Sequence, residues 1–279
     1  MSNLNTIETL ELYPLLDAKL IELLESLSPE EWHAPTVAGF WTVKDVAAHL
    51  LDGCFLRRLS IHRDMYFGEK PENIDSNKDL VGYLNSLNAD WVKACKRLSP
   101  RILIDQLRQA STEVYEFFKT LDPHSEAIFA VSWAGENRSE NWFDIARDYT
   151  ERWHHQQQIR LAVGKFGIET RELYFPVLDT FMRALPYTYR NIEAKVNTVI
   201  QFTITGEAGG DWFLLKDEGK WILNESSRKN ADAVTIIPST LAWQLFTKGI
   251  DKKTAKSHIS FFGDQNLGGE IINMLAVMA

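Results

Sequence analysis

Asp148-Tyr149-Thr150-Glu151-Arg152-Trp153-His154-His155-Gln156 is the stretch around which the chain is organised. It lies in a run with helical period, so Glu151 and His155, four residues apart, project from one face a turn apart. A carboxylate and an imidazole at that spacing suit one metal ion, given a third ligand from elsewhere. His49, in Trp41-Thr42-Val43-Lys44-Asp45-Val46-Ala47-Ala48-His49-Leu50, is the candidate, and the same helical period is visible there. His154 points about 100° away from His155 around a helix and reads as a surface residue or a neighbour of the ligands. The expectation is that His49, Glu151 and His155 meet inside a helix bundle and hold a divalent ion with open coordination positions.

Working outward, the upstream chain is helical. Residues 8–27 place Leu10, Leu12, Leu15, Leu16, Leu20, Ile21, Leu23 and Leu24 on a broad apolar face. Pro14 falls early in that run and suits the start of the regular helix. Thr42 with Asp45 three residues on is close to a capping box, and its helix is predicted to run past Cys54 and Arg58 towards Met65. Gly68 to Asn77 reads as a loop. Further helices are predicted over 77–97 and from Ser99-Pro100, and residues 122–138 read as irregular. The helix bearing Glu151 covers 139–163 and stops at Gly164, a C-terminal signal. One more covers 170–185.

After about residue 190 the period changes to two. Val199-Ile200-Gln201-Phe202-Thr203-Ile204 alternates, and two strands joined through Glu218-Gly219 read as a hairpin. Val234-Thr235-Ile236-Ile237 and His258-Ile259-Ser260-Phe261-Phe262 read as further strands, each leading into a helix. The expected division is 1–190, all-α, and 191–279, α+β.

The composition sets limits. A hydrophobic fraction of 45% and a net charge of −8 over 279 residues describe an ordinary globular chain with no basic surplus for nucleic acid. No apolar stretch approaches the roughly 20 residues that span a bilayer, and the N-terminus lacks a signal-peptide pattern. Cys54 and Cys95 read as reduced, buried thiols. The expectation is a cytoplasmic protein without nucleic-acid or membrane partners.

Two pieces together resemble a known superfamily. Trp41-Thr42-x-x-Asp45-x-x-x-His49 resembles the helix-two signature of DinB-like metal-binding four-helix bundles. Glu151-x-x-x-His155 followed by Ile159-Arg160-Leu161-Ala162-Val163-Gly164 is similar to mycothiol-dependent maleylpyruvate isomerase-type proteins. The resemblance implies an N-terminal DinB-like four-helix bundle followed by a small α+β sterol-carrier-like domain. It implies a divalent metal, commonly zinc, on His49, Glu151 and His155, with a low-molecular-weight thiol as cosubstrate at the open position. Two positions depart from the pattern: Lys248-Gly249-Ile250 stands where many relatives carry Gly-Arg, and Gln158 stands where several carry an acidic residue.

Two histidines and a carboxylate leave room for a substrate, as in catalytic zinc sites, and the set also suits Fe²⁺ or Ni²⁺. A bound thiol or water would become a nucleophile near neutral pH. The implied function is a thiol-dependent transferase or isomerase acting on a small, electrophilic, carboxylated molecule. Arg58 and Lys248 are the candidate catalytic contacts to its anionic groups, with Cys54 as a pocket neighbour. Two alternatives stay open: a metal-dependent hydrolase on the same ligands, and a non-catalytic small-molecule-binding protein.

Overall fold

The computed structural model describes residues 4–69, 71, 74–227 and 229–276. Residues 1–3 of the N-terminal segment and residues 70, 72 and 73 of the expected 68–77 loop lie outside that set. The chain divides into two compact units. Among the described residues, one comprises Thr9–Ile128 and Asp148–Ile168; the other takes those up to Glu8, Phe129–Arg147 and those from Glu169 to Ala276. A cut at residue 190 differs from this division in assigning Phe129–Arg147 and the helix after Glu169 to the all-α part.

The first unit is helical. Helix α1 (Tyr13–Glu25) has its proline in the first two positions, where the missing N–H costs nothing. Helix α2 (Val43–Leu50) opens with a reciprocal capping box: the Thr42 hydroxyl accepts from Asp45 N, and Asp45 accepts from Thr42 N at 3.1 Å. Its continuation differs from the single α-helix predicted from the period. From Leu51 to Leu56 and again from Leu59 to Arg63 the turns widen to π-helix, with Arg57 N donating to Asp52 O. Such wide turns occur where a helix is reshaped around a site.

Helices α3 (Asn77–Cys95) and α4 (Pro100–Phe118) follow, capped by Ser76 and Ser99. Helix α5 (Asn141–Val163) ends where Gly164 takes φ 67°, a conformation open to glycine at little cost. Helix α1 packs on α4, and α2 packs on α3 and α4. From Asp148 onward α5 closes the bundle: Tyr149 meets the Tyr13 ring edge-on at 5.5 Å. Leu16, Leu20, Leu24, Val46, Leu50, Leu103, Leu107, Val114, Phe118 and Trp153 fill the centre.

The second unit holds the sheet, with helices α6 (Arg171–Met182) and α7 (Leu185–Thr188) ahead of it. Strands β1 (Val199–Thr205), β2 (Gly210–Asp217), β3 (Lys220–Asn224), β4 (Ala233–Pro238) and β5 (Ser260–Gly263) stand in the order β3-β2-β1-β4-β5. β1 and β4 are parallel and the other pairs antiparallel. Helices α8 (Ser239–Phe246) and α9 (Lys252–Lys256) precede β5, and α10 (Gln265–Gly269) follows it. Alternation decides the buried face: Ile200, Phe202, Ile204, Trp212, Leu214 and Leu223 are inside, and α8 and α10 pack on this sheet. The architecture is therefore a helix bundle with an α+β domain, as the pattern change near residue 190 implies.

Candidate metal centre

Each side chain of the candidate site is placed by a local feature. His49 sits in the last turn of α2, where the Trp91 indole donates to the carbonyl of Ala48 at 2.8 Å. Its ring lies 4.9 Å from Trp41 and passes over Gly53, where a Cβ would come within 3.4 Å of the imidazole Cε1. Trp153 on α5 is fully buried and donates to the Ile168 carbonyl at 2.8 Å. That anchor sets the roll of α5 and aims Glu151, His154 and His155 together.

The His49 and His155 rings meet edge-on at 4.7 Å between centroids, although 106 residues separate them in sequence. Glu151, His154 and His155 form a group whose ligand atoms lie within 4.8 Å of one another. Glu151 Oε2 is 3.6 Å from His154 Nδ1 and 3.6 Å from His155 Nε2. His49 adjoins this group through the His155 ring but is not one of its members. His154 and His155 are buried, whereas His49 and Glu151 remain partly open to solvent. The site thus has a closed floor and an accessible edge.

Burial governs the electrostatics. It pulls His155 down to about 4, the Gln158 side chain at 2.9 Å from Nδ1 offsetting only part. His154 falls well below the usual imidazole range through burial and the nearby His155 and His49. His49 does so through burial, His155 and Arg57. All three rings are therefore neutral at pH 7, the protonation state that metal binding requires. Two of them, His49 and His154, have a buried Nδ1 without a hydrogen-bond partner. Orphaned buried imidazole nitrogens are costly, and that of His154 lies 3.6 Å from the Glu151 carboxylate, a space an ion would fill. Neutral nitrogen donors with one carboxylate oxygen match the preferences of Zn²⁺, Ni²⁺ or Fe²⁺. The residues present fit a divalent ion.

A buried ionic lattice supports this face of α5. Arg152 is 1% exposed; it donates to Asp148 at 2.9 Å, to Asp17 of α1 at 2.8 Å and to the Cys54 carbonyl. Its guanidinium lies 4.2 Å from the Phe55 ring centroid and 4.5 Å from that of Tyr13. Burial works against this charge, but the Asp17 and Asp148 carboxylates outweigh it and hold the guanidinium above its ordinary value. The lattice joins α1, the π-turns after α2 and α5 one residue from Glu151.

The geometry gives Arg58 a different task from the anion contact its position suggests. It is buried, and its Nε donates to Asp148 at 3.0 Å, so its charge is spent holding α5. Cys54 is likewise structural: burial, then the Asp148 charge, keeps its thiol well above the usual range. Lys248 belongs to the other unit, exposed and in the left-handed region at φ 62°. Of the two places expected for His154, the surface and the neighbourhood of the ligands, the structure shows the second: it is buried beside Glu151 and His155. Measured against His155 it points about 100° away, but measured against Glu151 the two histidines flank the carboxylate, about 60° to one side and about 40° to the other. The signal was the Glu-x-x-His-His spacing itself.

A family model described as mycothiol maleylpyruvate isomerase N-terminal domain matches residues 13–160. No curated protein matches the chain by sequence. Among solved structures, a histidine-to-alanine mutant of the mycothiol-dependent maleylpyruvate isomerase is similar at a TM-score of 0.54, with 10% identity over 93% of each chain. A second structure of the mycothiol-dependent maleylpyruvate isomerase is similar at a TM-score of 0.50, with 12% identity over 87% of this chain and 89% of that one. A UbiJ-SCP2 ubiquinone synthesis protein covers 37% of the chain at a TM-score of 0.26.

Proposed function

The chain belongs to the mycothiol maleylpyruvate isomerase N-terminal domain family, and from that premise we propose that it is a metal-dependent enzyme using a small external thiol on an electrophilic, carboxylated substrate. The ligands in this reading are His49, Glu151 and His155, with zinc the first candidate and Ni²⁺ or Fe²⁺ as alternatives. The observation that carries it is the meeting of the His49 ring with that of His155, which itself lies 3.6 Å from Glu151, all within the family-matched span. A divalent ion held there acts as a Lewis acid that makes a coordinated thiol or water nucleophilic near neutral pH.

The chain's own residues do the rest. His49 and His155 present neutral nitrogens because burial strips their protons. Gln158 holds the far nitrogen of His155 and so fixes its orientation. Arg58 and Arg152 clamp Asp148 and keep α5 in place. Both cysteines are buried with thiols raised above the usual range, so neither supplies a thiolate, and the nucleophile comes from outside. Addition of an external sulfur to a conjugated carbon–carbon double bond, rotation about the resulting single bond and expulsion of the thiol would return the isomerised product with the thiol regenerated. Retention of the carbon–sulfur bond would make the enzyme a transferase.

The test is metal content and turnover in parallel. Purified protein should carry about one equivalent of metal, lost in both His49→Ala and His155→Ala. A maleyl-type cis-dicarboxylate should react only with added thiol. Hydrolysis of an ester or amide substrate without any added thiol would move the assignment to a hydrolase, and metal content unchanged in both variants would remove the site.

A further inference from the structure

The metal reading uses two histidines, yet the structure sets His154 and His155 against one carboxylate and brings the His49 ring against His155. We propose that His154 is a metal ligand in its own right. Helix α5 would then present a three-donor face, Glu151, His154 and His155 at i, i+3 and i+4, with His49 as a fourth donor from α2. The inference rests on the metal reading above and deepens it.

The donor spacing is the main argument. Ligand atoms about 2.0–2.1 Å from a tetrahedral ion stand about 3.3–3.4 Å from each other. Glu151 Oε2 stands 3.6 Å from both His154 Nδ1 and His155 Nε2, close to that separation without an ion to draw the donors in. The same 3.6 Å is too long for a hydrogen bond, so pairing with Glu151 does not satisfy His154. Burial is the second argument. His154 is 4% exposed and its Nδ1, facing the carboxylate, has no hydrogen-bond partner. A histidine kept only for packing would be expected to have that nitrogen satisfied or replaced by carbon.

Adding His154 changes what the centre can do. Two histidines and a glutamate leave a tetrahedral ion one free position; three histidines and a glutamate fill it. An external thiol or substrate oxygen then requires an ion that accepts five or six ligands, which moves the preference from zinc towards Fe²⁺ or Ni²⁺. The chain's departure at Gln158, beside His155 rather than acidic, concerns the same turn of α5.

The experiment uses the full chain, stripped of metal and reloaded with one equivalent of Zn²⁺ or Co²⁺. Zinc-edge X-ray absorption counts the bound imidazoles, and chelator competition measures affinity. Wild type should show three imidazoles. His154→Phe, which keeps the ring volume and removes both nitrogens, should show two and lose more than about 100-fold in affinity, since loss of a residue that merely orients a ligand costs about 10–100-fold. The Co²⁺ visible spectrum should change with it. His154→Gln serves if the phenylalanine variant does not fold, and a wild-type count of two that is lost in both His49→Ala and His155→Ala would overturn the proposal. Should His155→Ala abolish binding while His154→Phe leaves count and affinity unchanged, His154 is no ligand but the metal reading stands. Should wild type bind no metal, both fall.

Discussion

Replacing Arg152 with methionine tests the lattice that holds the site. The side chain is 1% exposed and faces two carboxylates, Asp17 and Asp148, themselves almost fully buried. Removing one partner of a buried ion pair costs about 3–5 kcal/mol, because the remaining charge stays uncompensated. Asp148 would keep the Arg58 guanidinium at 3.0 Å and the Tyr13 hydroxyl at 3.1 Å. Asp17 would keep no ion-pair partner among the described residues, so most of the loss falls on it. Methionine preserves contact with Phe55 and Tyr13, which leaves the charge as the main change. The expected destabilisation is therefore about 3–5 kcal/mol. Adding Asp17→Asn removes the stranded charge and should restore about 1–3 kcal/mol, the usual size of coupling between touching residues. Urea unfolding followed by far-ultraviolet circular dichroism at pH 7 measures all three proteins. A loss below about 1 kcal/mol in Arg152→Met, the range of exposed pairs, would refute the reasoning. So would a double variant no more stable than the single.

Stability should depend on pH through Asp17. Burial pushes its carboxyl up to about 6, Arg152 offsetting only part, against an ordinary value of 3.8. The folded state then holds more protons at this group between those limits, so its contribution to stability falls as pH rises from about 4 to about 6. At 1.36 kcal/mol per pH unit the fall is at most about 3 kcal/mol; comparing wild type with Asp17→Asn at both ends isolates it, and parallel pH profiles would count against it. At the start of α2, Thr42→Ala removes the hydroxyl that accepts from Asp45 N. It should cost about 1 kcal/mol, read as a lower unfolding midpoint, while Asp45 keeps its ion pair with Lys96 at 2.7 Å. An unchanged midpoint would mean the box is not contributing.

The legible part of this protein is what neighbours in sequence can encode. Thr42 and Asp45 cap a helix by reaching three residues, and Gly164 ends another by adopting φ 67°. The switch from a period near 3.6 to a period of two is visible in Val199–Thr205 before any pairing is known. Less was visible where the local rule has two outcomes. The period after Leu50 predicts continued α-helix, and nothing in it announces the π-turns from Leu51, which depend on how that segment packs.

By itself the sequence determined that Glu151 and His155 share a helix face and that His49 stands on another helix. Helical geometry is a short-range property, and those spacings follow from it. Only the tertiary structure decided that Arg58, 90 residues from Asp148, is an internal clamp rather than a hand held out to substrate. It also decided that His154 turns inward beside Glu151. Both outcomes rest on burial: a charge or an imidazole removed from water takes whichever partner the packing of distant helices brings to it, and no local spacing records which one that is.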